Sequence, residues 1–167
     1  ANDDIRLQGM MGLYNLTCSE ANKTPMWDDR DTRAAFLKAA TDEANDDIRL
    51  QGIKGLYNLT CSEANKSPMW NDRDTHAAFL KASMKEAHSE VRLWGVSGLL
   101  NLGSIIDNMA PMWNDRDTRV AILNAAMDEA NTEIREEGMY SLFNLTESED
   151  NKIPMWNDRD SRAVLLK

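Results

Sequence analysis

Four asparagines, Asn15, Asn58, Asn101 and Asn144, stand 43 residues apart, each inside a Leu-x-Asn-Leu run. An asparagine within a helix competes with the backbone for hydrogen bonds, so four at one phase need a purpose. A row of amides can hold the backbone of an extended partner peptide, one rung at a time. The same amides can instead tie down a loop or helix end of their own or the next copy. Around them the residues vary. Four positions before each asparagine stand Met11, Lys54, Ser97 and Tyr140, and eight before stand Leu7, Leu50, Leu93 and Glu136. Such variation on a regular scaffold marks either a specificity surface or solvent-facing drift. Trp94 occupies a place that is Gln8, Gln51 or Glu137 elsewhere, which suits a binding hot spot or a contact between copies.

Other chemistry finds less support. The Asp28-Asp29-Arg30-Asp31 block and its copies lack the glycine and the distal glutamate of a calcium loop. Their alternation suits capping of the next helix and pairing between copies. Cys18 and Cys61 hold one repeat position and read as unpaired thiols in a reducing, intracellular compartment. With His76 and His88 they form no ligand spacing, so no metal and no cofactor is expected. The Asn-x-Ser/Thr matches at Asn15, Asn22, Asn58, Asn65 and Asn144 are by-products of repetition. No Ser-His-Asp or Cys-His set, phosphate loop or dinucleotide fingerprint occurs, so the chain is not expected to be an enzyme. The net charge of −9 and the pI of about 4.7 disfavour phosphate backbones and anionic membranes. No run of apolar residues is long enough to span a bilayer. Neither nucleic acid nor membrane is therefore an expected partner; a protein or extended peptide is.

These residues must be positioned by a repeating unit. The sequence divides into copies 1–43, 44–86, 87–129 and a shorter 130–167, and the first two copies differ at 8 of 43 positions. A period of this size belongs to stacked arrays, because one unit cannot bury its own apolar face. The whole of 1–167 is thus one array. In the second copy Asn45 caps a helix with Asp46 and Asp47 in its first turn. Ile48, Ile53, Leu56 and Leu59 then give an amphipathic helix to about Cys61. Gly9, Gly52, Gly95 and Gly138 share one phase in it, where close approach of a neighbouring helix would reward a missing Cβ. Pro25, Pro68, Pro111 and Pro154 also share one position. Proline favours the first position of a helix, which predicts a single turn from Pro68 to Asn71 carrying Met69 and Trp70 into the core. Trp27, Trp70, Trp113 and Trp156 are expected there as core aromatics. Asp74 is expected to cap a helix from Thr75 to Lys85, with Glu86-Ala87 as the corner into the next copy. No strand signal occurs. The fold class is all-α: a right-handed α-solenoid of four 43-residue units.

The run Gly55-Leu-Tyr-Asn-Leu-Thr60 resembles the last helix of an armadillo repeat, which ends Leu-x-Asn-Leu-Ala. Asn15, Asn58, Asn101 and Asn144 match that asparagine. The following Asn22-Lys23, Asn65-Lys66 and Asn151-Lys152 match the loop that opens the next repeat, and Thr75 to Ala82 resembles the second helix. The 43-residue step fits armadillo and HEAT periods of about 40–47. The Pro-Met-Trp-Asn-Asp-Arg-Asp block is shorter and more polar than the usual first helix. Family members that bind basic peptides carry a tryptophan where this chain has Met11, Lys54, Ser97 and Tyr140. The resemblance implies a non-catalytic protein-binding scaffold with a concave groove lined by the long helices. The groove asparagines carry over, and the tryptophan array does not. The alternative is a structural module that associates end to end, because Ile5, Met10 and Leu13 at one end and Ala163 to Lys167 at the other are residue types that interior copies bury.

Overall fold

The computed structural model describes residues 3–42, 44–85 and 88–166. The corner expected at Glu86-Ala87 lies outside them, as do the unit ends Ala1, Glu43 and Lys167. Among the described residues all regular structure is helical, in twelve helices with no strand. Four are long: α1 (Asp3–Thr17), α4 (Asp46–Thr60), α7 (Ser89–Leu102) and α10 (Thr132–Thr146). Each is followed by a nine-residue helix: α2 (Glu20–Asp28), α5 (Glu63–Asn71), α8 (Ile106–Asn114) and α11 (Glu149–Asn157). A third helix completes each triplet: α3 (Arg30–Asp42), α6 (Arg73–Lys85), α9 (Arg116–Ala126) and α12 (Arg159–Leu165).

Local chemistry sets these limits. The Asn45 side chain accepts from the amides of Asp47 at 3.0 Å and Ile48 at 3.2 Å, which fixes the start of α4 as the sequence leads one to expect. The third helices start two residues earlier than an Asp74 cap implies. Asp29, Asp72, Asp115 and Asp158 are the caps, each accepting at 2.8 Å from the amide three residues on. The expected single turn at Pro68 is in fact a helix begun at Glu63, with Pro68 inside it. The reason lies outside that helix. The buried Asn65 amide donates to Leu59 O at 3.0 Å and to Lys23 O at 3.2 Å, and this holds a first turn that proline cannot help to form. Asn108 bonds Leu102 O and Lys66 O in the same way, and Asn151 bonds Leu145 O and Met109 O.

The helices form three rows. α1, α4, α7 and α10 lie side by side in chain order; α2, α5, α8 and α11 form a second row; α3, α6, α9 and α12 form a third. Each third helix packs tightly on the next long one, α3 on α4, α6 on α7 and α9 on α10. The glycines make this possible. A Cβ on Gly52 would stand 2.6 Å from Ala40 N, and one on Gly95 would stand 2.7 Å from Ser83 N. A large core cluster runs through the rows, with Phe36, Ile53, Leu56, Phe79, Leu99 and Ile122 among its fully buried side chains, and Val96, Ala125 and Ile134 form a small second cluster. Each such residue contributes about 1.5–3 kcal/mol of burial.

Candidate partner-binding groove

All nine residues singled out for partner contact lie on the long-helix row of α1, α4, α7 and α10. Asn58 Nδ2 donates to Thr17 Oγ1 at 2.9 Å and reaches Cys18 Sγ at 3.6 Å. Asn101 repeats this toward Thr60 Oγ1 at 3.0 Å and Cys61 Sγ at 3.5 Å. The two threonine hydroxyls in turn donate to Tyr14 O and Tyr57 O at 2.6 Å. The Nδ2 amino group of each asparagine is therefore engaged across the helix junction. At the repeat positions of Thr60 and Cys61 the next unit has Gly103 and Ser104, and the Asn144 side chain makes no such bond among the described residues. Asn15, on the first helix, is exposed.

An aromatic cluster with a cation at its centre occupies the middle of the row. Lys54 Nζ lies 5.1 Å from the Tyr14 ring centre and 5.5 Å from that of Trp94. The Tyr57 and Trp94 rings are tilted against each other at 4.7 Å. Such cation–ring contacts are attractive at this range. Burial pushes the Tyr57 phenol above its ordinary pKa, helped by Cys61 and Glu137 and opposed by a hydrogen bond from Asn101. Glu137, from α10, closes the cluster. Burial raises its pKa, a hydrogen bond with Ser97 opposes the rise and Glu136 adds to it. Its Oε2 is enclosed without a hydrogen-bond partner.

Exposure differs along the row. Met11 and Tyr140 are exposed, Lys54 and Trp94 are half-buried, and Ser97 is buried. The neighbour of Ser97 that the electrostatics single out is Glu137 on α10. The second set of asparagines, Asn65, Asn108 and Asn151, is the buried one and carries the stronger structural role. Its signal in the sequence was the same 43-residue spacing, but an Asn-Lys pair in a polar stretch reads as loop. The recurring tryptophans also divide. Trp27 and Trp113 are buried, Trp70 is half-buried and Trp156 is exposed. Arg33, Arg119 and Arg162 lie over the rings of Trp27, Trp113 and Trp156 at 4.8, 5.2 and 5.5 Å and donate to the same tryptophans' carbonyls. In the second triplet His76 replaces the arginine. Its ring packs tilted against that of Trp70, with centres 4.4 Å apart, and its Nε2 bonds Thr118 Oγ1 of the next third helix at 2.7 Å.

No group of three or more potential metal ligands occurs among the described residues, and no described helix is long and apolar enough to cross a membrane. No family model matches the chain, and no curated protein does. Among solved structures it is similar to the crystal structure of an engineered protein from the Northeast Structural Genomics Consortium, with a TM-score of 0.79 at 15% identity. The match covers 96% of this chain and 64% of that one. At this identity the likeness shows the fold alone, an all-helical arrangement of the same kind.

Proposed function

We propose that the chain is a right-handed, armadillo-like α-solenoid of four units that binds a protein or extended peptide along its long-helix row and performs no chemistry itself. The three parallel rows of helices fit such an array. The long helices pack on one another more closely than the third helices do, which favours a concave long-helix side. The observation that carries the binding reading is the cluster of Tyr14, Lys54, Tyr57 and Trp94. It puts rigid aromatic surface and one cation beside amides whose donors are already used. Asn58 and Asn101 therefore offer a partner only their carbonyl oxygens, which suit peptide N–H groups. The acidic net charge of −9 disfavours nucleic acid. Exposed free thiols at Cys18 and Cys61 suit a reducing interior.

The test is selection of binders from a random displayed peptide library, followed by titration of the enriched peptides. Lys54→Ala and Trp94→Ala should each weaken binding about tenfold or more, the scale of a hot-spot residue. Asp107→Ala, an exposed change on α8 outside the row, should leave it unchanged. Failure to enrich any peptide, or enriched peptides indifferent to Trp94→Ala and Tyr140→Ala together, would overturn the reading.

A further inference from the structure

The two outer faces of the helix array are complementary, and the interior junctions show how. At each junction a long helix lies in the angle between the preceding long helix and the preceding third helix, as α4 does against α1 and α3. The corresponding angle between α10 and α12 holds an open cleft of about 770 Å³ lined by Met127, Met139, Tyr140, Phe143 and Val164 among others. No described residue fills it. Trp156 and Leu165 line a separate, smaller opening of about 210 Å³ on α11 and α12, and both are exposed at the places where Trp27, Trp113, Phe36 and Phe79 are buried in the interior.

The helix that fits this seat is present in the same chain. α1 and α4 share 13 of their 15 residues, differing only at Met10 against Ile53 and Met11 against Lys54. The surface by which α4 grips α3 is bare on α1. Gly55 sits against the Phe36 ring and Gly98 against the Phe79 ring, whereas Gly12 has nothing within 4 Å. Ile48 is 1% exposed, and its counterpart Ile5 is 71% exposed. Beside α1 a second open cleft of about 440 Å³, lined by Gly9, Leu13, Lys38 and Ala39 among others, lies where a preceding third helix would pack.

We propose that the chain associates head to tail, α1 of one copy seating in the α10–α12 cleft of a second and Leu165 of the second packing over Gly12 of the first. The two faces differ, so the contact is heterologous. It leaves one free face of each kind at the ends of every assembly and grows into runs unless the rotation closes a ring. This inference is independent of peptide binding, since it would hold if the groove bound nothing.

Sedimentation velocity of the full chain across about two decades of concentration tests it. The weight-average sedimentation coefficient should climb past the dimer value. Gly12→Trp blocks one face and Phe143→Glu the other, both at exposed positions, with helicity checked by circular dichroism. If either variant fails to fold, Ile5→Glu or Leu165→Glu replaces it. Each variant alone should stay monomeric. Their mixture should give a 1:1 dimer and nothing larger, because it retains one intact face of each kind. Monomer at every concentration for the parent chain, self-pairing of either single variant, or no dimer in the mixture would each overturn the proposal.

Discussion

Gly9 and Gly95 occupy the same phase of α1 and α7, and alanine at the two positions should act with opposite sign. At Gly9 a Cβ meets nothing within 4 Å. Alanine there removes backbone freedom from the unfolded chain and gains about 1 kcal/mol of helix propensity. At Gly95 the same atom would stand 2.7 Å from Ser83 N and 2.8 Å from Ala82 Cβ. Carbon contacts prefer about 3.5–4.0 Å, so α6 and α7 would have to part by about 1 Å. Neither neighbour has a rotamer that could yield, because one is backbone and the other a methyl group. The overpacking cost therefore sits near the upper end of the usual range, about 3 kcal/mol. Less the same propensity gain, Gly95→Ala is destabilising by about 2 kcal/mol. The two substitutions differ by about 3 kcal/mol although sequence position within the repeat is identical. Calorimetry at micromolar protein, where association is weakest, should show Gly95→Ala lowering the melting midpoint by about 4–8 °C and Gly9→Ala raising it by about 2–4 °C. Shifts of the same sign at both positions would refute the claim that helix contact, and not local propensity, governs this phase.

Two further outcomes follow from the polar contacts. Asn108→Ala strands Leu102 O and Lys66 O inside the core, so urea unfolding should show a loss of about 1–3 kcal/mol, and Asn58→Ala, at a half-buried clip, should lose no more than about 1 kcal/mol. Burial holds the His76 imidazole below its ordinary value of 6.5, against the pull of Asp115 and Asp117. Below pH 6.5 the unfolded chain gains a proton at His76 before the folded one does, so His76 lowers stability as pH falls through that window. His76→Arg should flatten that part of the stability–pH curve, and an unchanged slope would show that His76 is not the titrating group.

The apolar spacing within each copy pointed to the helical class and to the order long helix, short turn, second helix, because spacing reports which residues share a face. It also located the close approaches, since an interior glycine repeated at one phase asks for a neighbouring backbone. Pro68 shows the limit of local rules. Proline statistics place it at a helix start, yet α5 begins at Glu63 because Asn65 reaches carbonyls on two other segments. Those partners lie 6 and 42 residues away, and no local window contains both. The caps at Asp72 and its copies show the same limit on a smaller scale. Asp72 and Asp74 are equally plausible as letters, and only the position of the Thr75 amide chooses between them.

The candidate groove was legible as a row but not as a chemistry. Spacing put Asn15, Asn58, Asn101 and Asn144 on one face, and it could not say that Thr17 and Thr60 consume the donors of Asn58 and Asn101. It marked Lys54 and Trp94 as departures from the repeat without linking them. They lie 40 residues apart, and only lateral packing of α4 on α7 brings the ammonium over the ring. The same packing explains why Ser97 is buried while Tyr140, at the equivalent place, is exposed. Ser97 on α7 is covered by α10 and meets Glu137 there, whereas no described helix lies beyond α10 to cover Tyr140. Equivalent letters thus differ in role according to what packs on them. The exposed positions of the row are those that no described helix covers or at which the covering side chain has changed.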